Sequence, residues 1–145
     1  MSFLKLFIFF TLLFVAFTDV TSVSCKRPSL GRYVVGKDGM ECVALIKENC
    51  VGMRNKNTRM WRRGVHIRDN CSIIRPMSAI ATFSGPNNKY GGGPFRHAAI
   101  FASCDVNGIW VYDQWNGSRG VLYRQIPYNS TIGHNNGSNY YTITL

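Results

Sequence analysis

One stretch constrains this chain more than any other: HAAIFASCDVNGIWVYDQW, residues 97–115. Two runs rich in apolar, β-branched and aromatic residues flank CDVNG, and its Asn107-Gly108 pair suits a tight hairpin turn. Such a hairpin asks for a sheet around it. The runs SAIATF (78–83), GVLYRQI (120–126) and NYYTITL (139–145) supply further strands. Between the first of these and the hairpin, SGPNNKYGGGPFR (84–96) reads as a loop, with Gly and Pro as breakers. Upstream, Cys42, Leu45, Ile46 and Cys50 follow helical spacing, so a helix is expected over 42–50. Residues 25–39 are turn-rich, and 51–70 are basic and polar with a short helix expected around Thr58–Arg62. A helix followed by a mostly antiparallel sheet is an α+β domain.

The N-terminus constrains the environment. Lys5 precedes a near-unbroken apolar run from Leu6 to Phe17, then small and polar residues. That is the build of a secretory signal peptide, expected over residues 1–24 with cleavage after Ser22 or Ser24. The run falls short of the roughly 20 residues that a membrane span needs. Residues 25–145 are then a single domain, and the protein is expected to be secreted. Secretion bears on the five cysteines, Cys25, Cys42, Cys50, Cys71 and Cys104. An oxidising compartment favours pairing, and an odd count leaves at least one thiol unpaired. Sequons at Asn70, Asn116, Asn129 and Asn136 are glycan candidates in a eukaryotic secretory route.

The chain carries a formal charge of +10, and Arg54, Lys56, Arg59, Arg62, Arg63 and Arg68 fall in one stretch. Such a protein is drawn to acidic surfaces, although each residue alone also fits a plain solvated face. Three residues can carry chemistry. A thiol at a helix start, like Cys42, meets unpaired N–H groups and the positive end of the macrodipole, which favour a thiolate. Taken alone, such a cysteine is more often half a disulfide or a small buried hydrophobe. His97 opens a strand directly after a Gly-rich loop, where a ring can face a helix packed on the sheet. The hairpin turn carries Asp113 back toward the same end, where a carboxylate can orient an imidazole. Together they read as nucleophile, base and orienter. His66 and His134 have no comparable placement. The Cys and His spacings fit no zinc site, and neither a Walker loop nor a dinucleotide fingerprint is present.

ECVALIK, Trp61 with Gly64, AIATF, HAAIF and GIWVYDQW occur in that order. In this the chain resembles the second family of type VI secretion amidase effectors, bacterial toxins with a papain-like NlpC/P60 fold that cut peptidoglycan peptides. Ticks and mites carry secreted, domesticated versions acquired from bacteria, and this chain looks like one of those. The resemblance covers roughly residues 36–126. It places the nucleophile at Cys42, the general base at His97 and the third catalytic position at Asp113. One departure stands out: where the family pattern has Gly-Thr before AIATF, this chain has Met77-Ser78. On the same resemblance Cys42 is the unpaired thiol. The other four cysteines then allow two bridges in three pairings, of which Cys50–Cys71 and Cys25–Cys104 are expected.

The resemblance implies an antibacterial cysteine hydrolase acting on the D-Ala to diamino-acid crosslink, a D,D-endopeptidase. It also implies saliva or gut lumen as the setting if the source is a tick. Trp61, Tyr90, Gln114 and Trp115, with the basic stretch, are candidates to line a groove for acidic stem peptides. The expected partners are peptidoglycan and the acidic bacterial envelope. No cofactor, metal, nucleic acid or membrane span is expected, and the protein is expected to be a monomer. Two alternatives remain open. A basic secreted ribonuclease would use two histidines, drawing on His66 or His134. A non-catalytic envelope-binding antimicrobial protein would act without Cys42.

Overall fold

The computed structural model describes residues 21–91 and 93–145. Its elements are α1 (Cys42–Asn49), β1 (Arg62–His66), β2 (Ser78–Thr82), β3 (Ala98–Cys104), β4 (Gly108–Asp113), β5 (Leu122–Pro127) and β6 (Tyr140–Thr144). Short 3-10 turns at Thr58–Met60, Arg68–Ile73, Pro86–Asn88, Gly133–Asn135 and Gly137–Asn139 connect them. The strands form one six-stranded sheet in the order β1-β6-β2-β3-β4-β5, with every neighbouring pair antiparallel. The architecture is the α+β arrangement expected.

Alternation along the strands splits the core into two layers, because successive side chains leave a strand on opposite faces. Ala79 and Ala81 of β2, Ala98 and Ile100 of β3 and Tyr112 of β4 join Leu45, Ile46, Met53 and Trp61 in one cluster. Ile80, Ala99, Phe101, Ile109 and Val111 pack with Ile67, Ile74, Ile126 and Tyr140 in the other. β2 is buried along its whole length, with the polar Ser78 and Thr82 flanking the apolar run from Ala79 to Ala81. α1 buries Cys42, Ala44, Leu45 and Ile46 and packs on β3. Ala98 presents only a methyl group there, so the helix axis can come close to the sheet and bring its first residue to the start of β3.

The basic stretch departs from expectation. The short helix expected around Thr58–Arg62 is one 3-10 turn, and the chain then enters strand β1. No apolar alternation announces this strand. Arg62 and Arg63 are exposed, and Gly64 has no side chain because a Cβ would sit 2.3 Å from Thr142 Oγ1. Its partner β6 makes it a strand: Arg62 faces Thr144, and Val65 N–H donates to Thr142 Oγ1 at 2.9 Å. At the departure from the family pattern, Met77 takes the left-handed conformation that glycine favours, with φ of 66°.

The disulfides correct the expected pairing. The bridges are Cys25–Cys50 and Cys71–Cys104, and Cys42 is free. The reason is the sheet. Cys25 and Cys50 belong to the layer under α1, whereas Cys71 and Cys104 pack against the opposite layer. A Cys50–Cys71 bridge would have to pass through the sheet. Among the sequons, Asn116 and Asn129 are exposed, while the amides of Asn70 and Asn136 donate inward to His66 O and Ser130 O at 2.9 Å. Most of the expected leader lies outside the described residues. Val23 O and Ser24 O do bond into the fold, accepting from Ala79 N–H and Val51 N–H at 2.8 Å each. No helix among the described residues is long and apolar enough to cross a membrane.

Candidate active site

Cys42 is the first residue of α1, and Glu41 at the N-cap makes no side-chain cap. The thiol is 7% exposed. Burial pushes its pKa up. A hydrogen bond and positive charge from His97, the Tyr90 hydroxyl and the Ala98 N–H outweigh that, and the thiol ends below its ordinary range. Tyr90 Oη lies 3.7 Å from Sγ. Burial and the thiolate hold the Tyr90 hydroxyl protonated far above its normal pKa, so it serves only as a donor.

His97 directly precedes β3. Thr82 fixes its backbone on both sides, with Oγ1 accepting from His97 N–H and Thr82 N–H donating to His97 O, each at 2.9 Å. The ring donates from Nε2 to Asp113 Oδ2 at 2.8 Å, which leaves Nδ1 for the thiol. Burial opposes its charge, but Asp113 and Cys42 together raise its pKa to about 9. Asp113 ends β4 and is wholly buried. Burial pushes its pKa up, yet hydrogen bonds from His97 and Arg124 carry it below the usual carboxylate range. The buried charges therefore compensate one another, as buried charges must. The structure brings Cys42, His97 and Asp113 into one line, and each of the first two shifts the other toward the thiolate–imidazolium form.

This line opens onto a cleft of about 730 Å³ whose walls include Asp38, Glu41, Tyr90, Arg96, Trp115, Arg124 and His134. Of the expected groove residues, Tyr90 and Trp115 line it. Trp61 does not: it is fully buried beneath Tyr90, with ring centroids 4.8 Å apart. Gln114 does not either. Its side chain is buried, bonding Val34 N–H and O at 2.9 and 2.7 Å and Met40 O at 3.0 Å, so it ties down the segment that leads into α1. The six cations of the basic stretch also stay outside the cleft wall, to which that stretch contributes Thr58. An apolar or amide side chain has no sequence mark that separates groove from core, and here packing demand placed both inside.

Two further residues line the cleft: His134, which nothing about its place in the chain favoured, and Arg124, which the sequence did not single out. His134 lies 6.3 Å from the His97 ring, and its buried Nδ1 has no partner among the described residues. Burial, with the charges of His97 and Arg124, keeps its pKa below the usual imidazole range. Arg124 was detectable only as a lone cation inside the run GVLYRQI. His66, by contrast, is engaged elsewhere, by Asp69 at 2.6 Å and Ser138 O at 2.7 Å. His66 and His134 therefore do not share the cleft as a ribonuclease acid–base pair would. Among the described residues no cluster of His, Cys, Asp or Glu is suited to hold a metal ion.

A helix-borne thiol beside an imidazole at the start of a strand, on an antiparallel sheet, defines a papain-like α+β protein. The comparisons with known proteins are specific. The chain belongs to the domesticated amidase effector 2 family, whose model matches residues 12–143. It is 50% identical over 131 residues to domesticated amidase effector 2 of Ixodes scapularis, covering 90% of this chain and 89% of that protein. A type VI secretion amidase effector 2 protein of Salmonella typhi is 36% identical over 78 residues, covering 52% of this chain and 53% of that protein. The solved structure of a type 6 secretion amidase effector 2 superposes with a TM-score of 0.65 at 29% identity, over 79% of this chain and 86% of that one.

Proposed function

We propose that this protein is a secreted cysteine hydrolase that cuts peptide crosslinks in bacterial peptidoglycan, with Cys42 as nucleophile, His97 as general base and acid, and Asp113 as orienter. The carrying observation is the Cys42–His97–Asp113 line opening into the cleft, in a chain of an amidase effector family. In this reading the Cys42 thiolate attacks the scissile carbonyl. The Cys42 N–H, which a helix leaves unpaired in its first turn, faces the forming oxyanion. His97 passes its proton to the leaving amine, and a water activated by His97 then hydrolyses the thioester. Asp113 stabilises the imidazolium and fixes its tautomer throughout. Tyr90 donates to the thiolate, and Trp115 offers an aromatic wall to the stem peptide. The bond cut is the D-Ala to diamino-acid crosslink. The outcome is bacterial lysis, with the basic surface drawing the enzyme to the acidic envelope.

The test is digestion of purified sacculi of diaminopimelate and lysine types by the disulfide-bonded protein, beside Cys42→Ala. Loss of crosslinked dimers with gain of monomers, absent in Cys42→Ala, is expected in the muropeptide profile. An unchanged profile from folded protein on both substrates overturns the reading.

A further inference from the structure

Arg124 stands directly behind the acid of the line. Its Nε donates to Asp113 Oδ1 at 3.1 Å and to Oδ2 at 3.0 Å, and its Nη2 donates to Oδ2 at 2.7 Å. Three further features fix the guanidinium. Nη1 donates to Asn135 Oδ1 at 3.1 Å, the cation lies 5.1 Å from the centre of the Trp115 ring, and β5 is locked to β4 by the Val111–Arg124 pairing. Asp113 is wholly buried, so both its oxygens depend on protein donors. Oδ2 receives both His97 Nε2 and Arg124 Nη2.

We propose that Arg124 is a positioning residue of the catalytic line: its fork sets the plane of the Asp113 carboxylate and shares with His97 the oxygen that holds the imidazolium. Sharing limits how tightly Asp113 grips the His97 proton, which must be released to the leaving amine. A planar fork suits this task because its donors meet the carboxylate in one fixed plane, which an ammonium, a point charge, does not impose. Trp115, a cleft wall, covers the other side of the guanidinium, so the same arginine joins the cleft to the buried acid. The proposal rests on the hydrolase reading of Cys42, His97 and Asp113.

A pH signature separates this role from a structural one. The titratable and charged groups around His97 and Asp113 are Cys42, Tyr90, Arg96, Arg124, His134 and Tyr140, with Asp38 and Glu41 on the cleft wall. Removing one cation from this set favours the imidazolium, so the His97 titration moves to higher pH.

The experiment uses the disulfide-bonded protein as wild type, Arg124→Met and Arg124→Lys, with melting temperature as the folding control. The first readout is the pH dependence of Cys42 alkylation by iodoacetamide, which needs no substrate and reports the one free thiol. The second is kcat and KM on soluble crosslinked muropeptide dimers. Arg124→Met is expected to raise the upper titration and to cut kcat about 10- to 100-fold, with KM little changed. Arg124→Lys is expected to restore the titration but only part of kcat. An unmoved titration with kcat within threefold of wild type in folded Arg124→Met overturns the proposal. If Arg124→Met does not fold, Arg124→Lys decides by its kcat alone. Wild-type protein that is alkylated with a depressed thiol pKa yet cuts nothing counts against the hydrolase reading, and the alkylation shift still judges Arg124.

Discussion

At the scale of single residues, the site is a set of charges that make sense only together. Cys42, His97 and Asp113 are each buried, and each has its pKa moved against the direction that burial alone would impose. Their types and order were legible in the sequence. A thiol at a helix start, a histidine opening a strand and an acid inside an aromatic run are each unusual enough to notice. Arg124 was not, because an arginine on a strand is ordinary until it is seen to face a buried carboxylate. This yields a prediction of defined sign. Asp113→Asn removes the charge that holds up His97, so the titration near 9 should move down. Activity should fall by roughly 10²- to 10⁴-fold. Arg124→Met moves the same titration up, so pH profiles of the two variants distinguish the acid from the residue behind it.

At the scale of elements, strands with alternating or continuous apolar runs were readable and β1 was not. β2 to β5 declare themselves because each buries side chains. β1 carries exposed arginines and a glycine, and it forms because β6 offers unpaired backbone groups at the sheet edge. Gly64 is the point of closest approach. An added Cβ there meets Thr142 Oγ1 at 2.3 Å and Thr142 O at 2.9 Å. Gly64→Ala should therefore lower stability by about 1–3 kcal/mol, read by denaturant unfolding. Activity per folded molecule should stay unchanged, because β1 contributes nothing to the cleft wall. An unaffected midpoint would mean that the β1–β6 register relaxes freely.

At the scale of the whole molecule, two bridges clamp the two layers separately. Cys25–Cys50 ties the N-terminal segment to the end of α1, and Cys71–Cys104 ties the 68–73 turn to the end of β3. Their separations of 25 and 33 residues predict about 3–4 kcal/mol of stabilisation from each by loop-closure entropy. Non-reducing peptide mapping should recover these two pairs with Cys42 as the free thiol. The double variant Cys71→Ser with Cys104→Ser should lose stability on that scale while keeping Cys42 reactive, since that bridge lies across the sheet from the thiol.

The sequence by itself determined what depends on neighbours along the chain. That covers the β3–β4 hairpin, the short apolar helix, the loop before His97 and the buried strands, and with them the α+β class. Tertiary structure alone decided what depends on which face of the sheet a residue meets. The disulfide pairing, the burial of Trp61 and Gln114, the existence of β1 and the place of Arg124 all belong there. Periodicity along a chain shows that a side chain is buried, but what it is buried against is fixed only once strands distant in sequence lie side by side.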